Sequence, residues 1–354
     1  MKGLLLSGGR GTRLRPITHT SAKQLVPVAN KPVLFYGIEA LRDAGITDIG
    51  IIVGDTQEEI RRACGDGARF GVKLTYIHQA EPLGLAHAVL TAREYLADSD
   101  FVMYLGDNLI ISGIKELVHK YQTEKSNAMV LLARVPNPNQ FGVAELKDGK
   151  VFRLVEKPKE PKSDLALVGV YMFDKLVMKA ASSIQPSARG ELEITDAIQW
   201  LVDQGHRVNP HIVTGWWKDT GKLEDMLEAN RMILATMERR IAGSVDAASC
   251  LEDKVVIEEG AQIVNSTIRG PAIIGRNTRI ENSYVGPFTS IYYNCLVRSS
   301  EIEHSILLEE SKVLDIRRRI EDSLIGKNVT ISRSPARPKA LRFMLGDNSS
   351  VGVS

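Results

Sequence analysis

Residues 4 to 16, LLLSGGRGTRLRP, run from an apolar strand pattern straight into three glycines and three arginines. Glycines this closely spaced let backbone N–H groups approach a phosphate without interference from a Cβ, and Arg10, Arg13 and Arg15 add fixed positive charge. The two familiar nucleotide loops fail on spacing. A dinucleotide fingerprint needs a glycine where Leu14 stands, and a P-loop needs a Gly-Lys-Ser/Thr ending where the chain has Gly11-Thr12-Arg13. Taken alone, the stretch is either an anion cradle of a third kind or a tight turn with solvated arginines. Further along, Lys23, Asp107, Lys157 and Asp219 offer charged groups near apparent strand ends. Each also has a bland use, the aspartates as turn or helix caps and the lysines as surface charges.

Such residues need a scaffold. A chain of 354 residues with 44% hydrophobic and 25% charged residues is globular and large enough for more than one domain. A formal net charge of +2 gives no electrostatic reason to expect nucleic acid as a partner. Cys64, Cys250 and Cys295 are too widely separated for a zinc spacing or a disulfide framework and read as reduced thiols. The first residues do not form a signal-peptide pattern, and no apolar run approaches the roughly 20 residues that span a bilayer. A cytoplasmic protein with no membrane partner is expected.

Over the first 240 residues or so, short β-branched runs alternate with amphipathic helical patterns. Strands are expected at KGLLL, DIGIIV, VKLTYI, DFVMYL and NAMVLLARV, and helices at VLFYGIEALRDAG, TQEEIRRAC, LAHAVLTAREYL and GIKELVHKYQ. That alternation predicts an α/β fold with a Rossmann-like, mixed, mostly parallel sheet, whose ligands bind at the carboxyl ends of the strands. Both the opening loop and Gly106-Asp107-Asn108 fall at such ends. A hairpin over 141 to 158 turning at Asp148-Gly149, a strand at ALVGVYMF, a helix near Ile194 to Gln204, a strand at RVNPHIV and a loop GWWKDTG complete this part.

The chain then changes character. Residues from about 221 to 241 keep apolar residues at helical spacing and read as a connecting helix. Beyond it a phrase recurs: QIVNSTI, RIENSYV, EIEHSIL and RIEDSLI, with leading isoleucines Ile263, Ile280, Ile302 and Ile320 spaced 17, 22 and 18 apart. A period near three sixes predicts a β-solenoid of three short strands per coil, with each leading isoleucine stacked on the one before. Residues from Pro335 onward read as a terminal cap with a closing strand. The expected domains are therefore 1–240 and 242–354.

Taken in order, GGRGTRLRPITHTSAKQLVPVANKP, QAEPLGLAHA, LGDN, FGV, VEKP, GELEITD and WWKDTG resemble the sugar-nucleotide pyrophosphorylases. The long form of that family, which ends in a left-handed parallel β-helix, is the most similar. The resemblance is specific over residues 1 to about 240 and looser over the solenoid. It implies transfer of a nucleotidyl group from a nucleoside triphosphate to a hexose 1-phosphate, with glucose 1-phosphate and dTTP expected and UTP the alternative. It further implies Gly8, Gly9, Gly11, Thr12, Arg13, Gln24 and Asp107 around the triphosphate, and Gln79 and Gly84 at a pyrimidine edge. Lys23 would neutralise phosphate oxygens, Lys157 would hold the sugar phosphate beside Gly142, Glu156 and Tyr171, and Asp107 and Asp219 would hold Mg²⁺. A homo-oligomer, in one form a trimer, is implied as well.

The chemistry asked of these residues is modest. A sugar phosphate is already anionic at neutral pH, because its second pKa lies near 6, so no general base is required. The task is to bring polyanions together, which cations do well. Thymine and uracil differ by one methyl, worth about 1 to 3 kcal/mol in a pocket. Phe141, where a tyrosine is common, and Val168, where a hydroxylated residue is common, leave the hexose open. Glu191 belongs either to the sugar pocket or to a helix cap. His304 invites a second reading, a bifunctional enzyme with an acyltransferase in the solenoid. Its place in the phrase, aligned with Asn265, Asn282 and Asp322, favours an ordinary corner residue. A non-catalytic regulatory subunit is disfavoured by the intact charged set.

Overall fold

The computed structural model describes residues 1–9, 11–19, 21–333 and 351–352. Arg10 and the expected terminal cap lie outside the described residues. The chain divides into two compact units: residues 1–10, 21–25 and 33–219 form one, and 11–20, 26–32 and 220–354 the other.

The first unit is built on a nine-stranded mixed sheet. Its main path runs Lys150–Glu156, Gly142–Lys147, Leu165–Phe173, Phe101–Leu105, Lys2–Ser7, Asp48–Val53, Lys73–His78. Lys2–Ser7 pairs in parallel with both Asp48–Val53 and Phe101–Leu105, so the opening strand is central and its apolar run is buried on both faces. The alternation is visible in the core. Leu4 and Leu6 enter one apolar cluster and Leu5 the other, on opposite faces of the sheet. The hairpin forms as expected, with left-handed Asp148 and Gly149 at its turn. Three expectations need revision. LAHAVLTAREYL is two helices, Leu85–Thr91 and Arg93–Leu96, rather than one. GWWKDTG is not all loop, since Trp217–Asp219 pairs with the short strand Asn108–Ile110. A helix at Leu176–Ser183 had no counterpart in the sequence reading.

In the second unit, helix Leu223–Thr236 precedes a parallel β-helix of three strand columns. One column is headed by Arg240–Ile241, the next by Ser244–Val245 and the third by Cys250–Glu252. In the first column Ile257, Ile274, Ile291, Leu307 and Ile325 stack in register, giving coils of 16 to 18 residues. The stacking expected of the four leading isoleucines is only partly right. Ile263 pairs with Ile280, but the next coil presents Val297 to Ile280. Ile302 stacks instead on Val285 in the neighbouring column, and Ile320 on Ile302. The phrase therefore recurs at two different corners, which is why its middle spacing of 22 equals a coil plus one corner step.

Most corners use a residue with positive φ. Asn265 and Asn282 (φ 43 and 50) serve one corner, and Phe288, His304 and Asp322 (φ 59, 43 and 50) serve another. His304 thus does not share a slot with Asn265 and Asn282, as the phrase alignment suggested. Its neighbours in the stack are Phe288, whose ring meets it edge-on, and Asp322, whose carboxylate contacts Nδ1.

Inside the coils, serines carry the turn amides from one layer to the next. Ser283 N donates to Ser266 Oγ, and Ser300 N to Ser283 Oγ. Each buried hydroxyl satisfies an amide that would otherwise have no partner.

Candidate active site

The central strand ends at Ser7, and Gly8 and Gly9 follow at its carboxyl end. Both glycines lie against glutamine side chains. A Cβ on Gly8 would meet Gln79 Oε1 at 3.3 Å, and one on Gly9 would meet Gln24 Nε2 at 3.8 Å. The two glutamine amides therefore flank the loop, both buried. Gln79 Nε2 lies 2.8 Å from His87 Nδ1, which orients the amide. The buried Oε1 of Gln24 and the Oγ of Ser7 have no hydrogen-bond partner among the described residues, so polar groups face this loop.

Gly11, Thr12 and Arg13 group with the second unit. Gly11 is left-handed (φ 63) and starts the one-turn helix Thr12–Leu14, on which Arg13 sits exposed.

Gly84 opens the next part. At φ 108 it takes a conformation that only glycine adopts easily, and an added Cβ would meet Leu192 N at 2.7 Å. The close approach is fixed by two backbone bonds, Leu192 N to Leu83 O and Ala86 N to Leu192 O. Segment 187–193 is thereby tied to the Gly84 loop.

Asp107 and Asp219 come together through strand pairing. Asp219 stands opposite Asn108, so the two aspartates lie on adjacent positions of an antiparallel pair. Asn108 is the buried pivot: its Oδ1 accepts from Trp217 Nε1 at 2.6 Å and from Gly169 N at 3.2 Å, and its Nδ2 donates to Asp107 Oδ1 at 2.9 Å. Gly169 must be glycine because a Cβ there would meet the Asn108 amide at 2.7 Å. Lys23 Nζ pairs with Asp107 Oδ2. Burial opposes ionisation of Asp107, but the Lys23 ammonium and the Asn108 amide outweigh it and hold the carboxyl below its usual range. Asp107 is therefore a carboxylate at neutral pH, already drawing a cation.

The remaining residues gather along the hairpin. Gly142 pairs with Glu156, and a Cβ on Gly142 would meet Thr195 Cγ2 at 2.7 Å and Glu156 Oε2 at 3.1 Å. The Glu156 carboxylate is approached by Arg189 Nη1 at 3.4 Å, Lys157 Nζ at 3.6 Å and Thr195 Oγ1 at 3.4 Å. These long contacts hold it loosely. Lys157 itself is left-handed (φ 42), its N–H bonded to Phe141 O, which turns the chain at this point. Tyr171 is buried, and desolvation together with nearby Glu156 keeps its phenol protonated. Phe141 packs edge-on against Trp217, ring centroids 5.6 Å apart, so the substitution for tyrosine keeps the aromatic contact.

Three residues at this site escaped the sequence reading. Arg189 pairs with Glu156, Glu191 and Glu193, which also answers for Glu191. Glu193 is buried with its carboxylate on Ser187 Oγ, and burial raises its pKa. Asn108 is the third. Only the density of charge in SARGELE, and the asparagine following Asp107, could have flagged them.

The nucleotidyl transferase family description matches residues 2–236 of this chain. A glucose-1-phosphate thymidylyltransferase of Streptomyces griseus is 56% identical over all of this chain and all of its own length. One of Streptomyces antibioticus is 57% identical over all of this chain and 99% of its own. Among solved structures, a Bacillus anthracis protein described as a glucose-1-phosphate thymidylyltransferase in complex with sucrose is 38% identical, with a TM-score of 0.62 over 66% of this chain and 94% of its own. With strands, loops and carboxylates arranged as above, the chain belongs to the nucleotidyl transferase family, among its full-length glucose-1-phosphate thymidylyltransferases.

Proposed function

We propose that this protein joins dTTP and glucose 1-phosphate into dTDP-glucose and pyrophosphate. The observation that carries the reading is the register placing Asp219 opposite Asn108, beside Asp107 and its Lys23 partner, in a chain matched end to end by enzymes so named.

In this reading a phosphate oxygen of the sugar substrate attacks the α-phosphorus in line. The new bond is oxygen to Pα, the bond broken is Pα to the bridging oxygen, and its electron pair leaves with pyrophosphate. The nucleophile is an anion already, so no residue removes a proton. The work left to the protein is positioning and neutralising charge. Backbone amides of Gly8, Gly9 and Gly11, with Thr12 and Gln24, would hold the triphosphate, and Arg13 and Lys23 would offset its charge. Gln79 and the backbone at Gly84 would read the pyrimidine edge. Lys157 would hold the sugar phosphate while Glu156, beside Gly142 and Tyr171, accepts hydroxyl hydrogens, its loose contacts to Arg189 and Thr195 giving way at little cost. Arg189, within reach of the same carboxylate, is a second cation for the sugar phosphate.

Asp107 and Asp219 fit Mg²⁺: both offer hard carboxylate oxygens, Asp107 is held ionised, and magnesium takes one or two carboxylates with substrate oxygens and water. Bound there, it would neutralise phosphate charge in the transition state. The catalytic domain is taken as 1–240, and a cytoplasmic homo-oligomer assembled through the β-helix as the working form. No helix among the described residues is long and apolar enough to cross a membrane.

The test is pyrophosphate release with glucose 1-phosphate and each common triphosphate. dTTP should be best and UTP second by about 10- to 200-fold at most, since one methyl separates them. A purine triphosphate as the preferred substrate would overturn the assignment of Gln79 and Gly84.

A further inference from the structure

The second unit holds a cleft of about 350 Å³ on one corner of the β-helix, between the first strand column and the second. Its wall is formed by Tyr292 and Tyr293, whose rings lie 4.6 Å apart at 60°. Tandem aromatics are peculiar to this coil. The same two corner slots hold Ala242-Gly243, Glu258-Glu259, Gly275-Arg276, Leu308-Glu309 and Gly326-Lys327 in the other described coils, as the registers show. Gly275 makes room for them, because a Cβ there would meet the Tyr292 backbone at 2.5 Å. Asn30, left-handed at φ 59, closes another side, fixed by its Nδ2 on Ile291 O.

Several charges on the coils pair from one layer to the next: Arg269 with Glu252, Arg298 with Asp315, Arg319 with Glu301, Lys327 with Glu309. Arg276 stands one coil above Glu259 in the same slot, yet among the described residues neither side chain joins an ion pair, nor does that of Arg240. All three line the cleft instead.

We propose that this cleft is a binding site for a neutral saccharide of one or two rings. The chemistry selects that class. Two arginines against Glu258 and Glu259 leave the rim without net charge, and a phosphate would face two carboxylates. Glu258 already accepts from the Arg276 backbone N–H at 3.1 Å, and a purely apolar ligand would leave Arg240, Glu259 and the Arg276 guanidinium desolvated and unanswered. A polyol offers each of them a partner: hydroxyls donate to the glutamates, accept from the guanidiniums and exchange both with the Asn30 amide. Its C–H faces pack on the tyrosine rings. Burial, with Glu309 and Tyr293 nearby, pushes the Tyr292 phenol up to about 12, so it remains a hydroxyl donor at neutral pH. The volume lies at the lower end of small-ligand pockets. Nothing in this proposal depends on the reading of the catalytic site.

The experiment is saturation-transfer NMR on the full chain with maltose and with D-glucose, followed by titration. Transfer from protein aromatic protons to the sugar is expected. Tyr293→Ala and Arg276→Ala should each weaken binding by tenfold or more, while Phe152→Ala, an exposed position of the first unit that lines neither site, leaves it unchanged. Tyr293 and Arg276 both reach the surface, and Tyr293→Phe supplies a variant that keeps the ring. Absence of transfer with either sugar would overturn the proposal. So would binding that is lost in Glu156→Gln but kept in Tyr293→Ala, or inorganic phosphate perturbing the resonances of Arg240 and Arg276 where the sugars do not.

Discussion

The two units place polar groups in fixed positions by opposite means. In the first, Lys23, Asp107, Asn108, Gly169, Trp217 and Asp219 come from four stretches of chain and meet once, with Asn108 bonded to three of them. In the β-helix, a serine hydroxyl meets the serine one coil on, and the arrangement repeats at steps of 17 residues. A convergent cluster has no spare members. A ladder spreads its load over equivalent rungs, as expected where each repeat contacts only its neighbours. Substitutions should therefore fail differently in the two regions, activity first in one and stability alone in the other.

The largest effect should come from the aspartates. Asp219→Asn and Asp107→Asn should each lower turnover by about 10² or more at saturating magnesium, the scale of losing a partner for transition-state charge. Asp219→Asn is the cleaner variant, since Asp107→Asn also leaves the Lys23 ammonium without its carboxylate. That pairing has its own signature. A carboxyl held below its ordinary range stabilises the fold above about pH 4 and loses that contribution as pH falls through its folded value. The stability gap between wild type and Asp107→Asn should then narrow on acidification, as followed by thermal unfolding. Turnover near the wild-type level in either variant would remove that residue from the convergent set.

Next in size is Gly84→Ala. Its backbone lies where only glycine is at ease, a cost of about 1 to 3 kcal/mol for any other residue, and the new Cβ would press on Leu192. Because Leu192 belongs to the segment that also carries Arg189 and Glu193, the displacement should reach both substrates. We expect KM for dTTP and for glucose 1-phosphate to rise together, each by about tenfold for every 1.4 kcal/mol of lost binding. A rise for dTTP alone would show that segment 187–193 does not link the two ends.

How far each region could be read from sequence follows from the same difference. The central strand, the hairpin and the residues around them were legible because periodicity and turn chemistry are local: Leu4 to Leu6 alternate between faces, and Asp148-Gly149 turns where it should. Asn108 was not, since its value lies in partners 61 and 109 residues away. Trp217–Asp219 looked like a loop for the same reason, its strand character arising only from Asn108–Ile110. In the β-helix the repeat was plain but its phase was not. The Ile-polar-Asx-Ser-aliphatic phrase satisfies two corners equally well, because each asks for a left-handed residue followed by a buried serine, and only the register tells them apart.

A rung of the ladder gives a smaller effect. Ser283 Oγ accepts from Ser300 N and donates to Glu281 O, so Ser283→Ala would leave a buried amide unpaired at a cost of about 1 to 3 kcal/mol. Thermal unfolding should shift down accordingly, while turnover at 25 °C stays at the wild-type level. Loss of turnover without loss of stability would mean that the β-helix takes part in the reaction, and the contrast between the units would fail.

The smallest effect is expected at His304, the residue that most invites an activity for the second unit. A general base must come within hydrogen-bond reach of the proton it removes. His304 Nδ1 is engaged by Asp322, while Nε2 is buried with no hydrogen-bond partner among the described residues, and the Phe288 ring packs against the imidazole. Neither nitrogen is open to a substrate. His304 holds a corner at φ 43 that Phe288 and Asp322 hold in the adjacent coils, and three such different side chains have only the backbone conformation in common. His304→Ala should therefore leave nucleotidyl transfer within a few-fold of wild type, and the intact protein should consume no acetyl-coenzyme A in the presence of amino-sugar phosphates. Consumption by the wild type that His304→Ala abolishes would mean that the corner opens to admit an acyl acceptor. The β-helix would then possess a convergent site of its own.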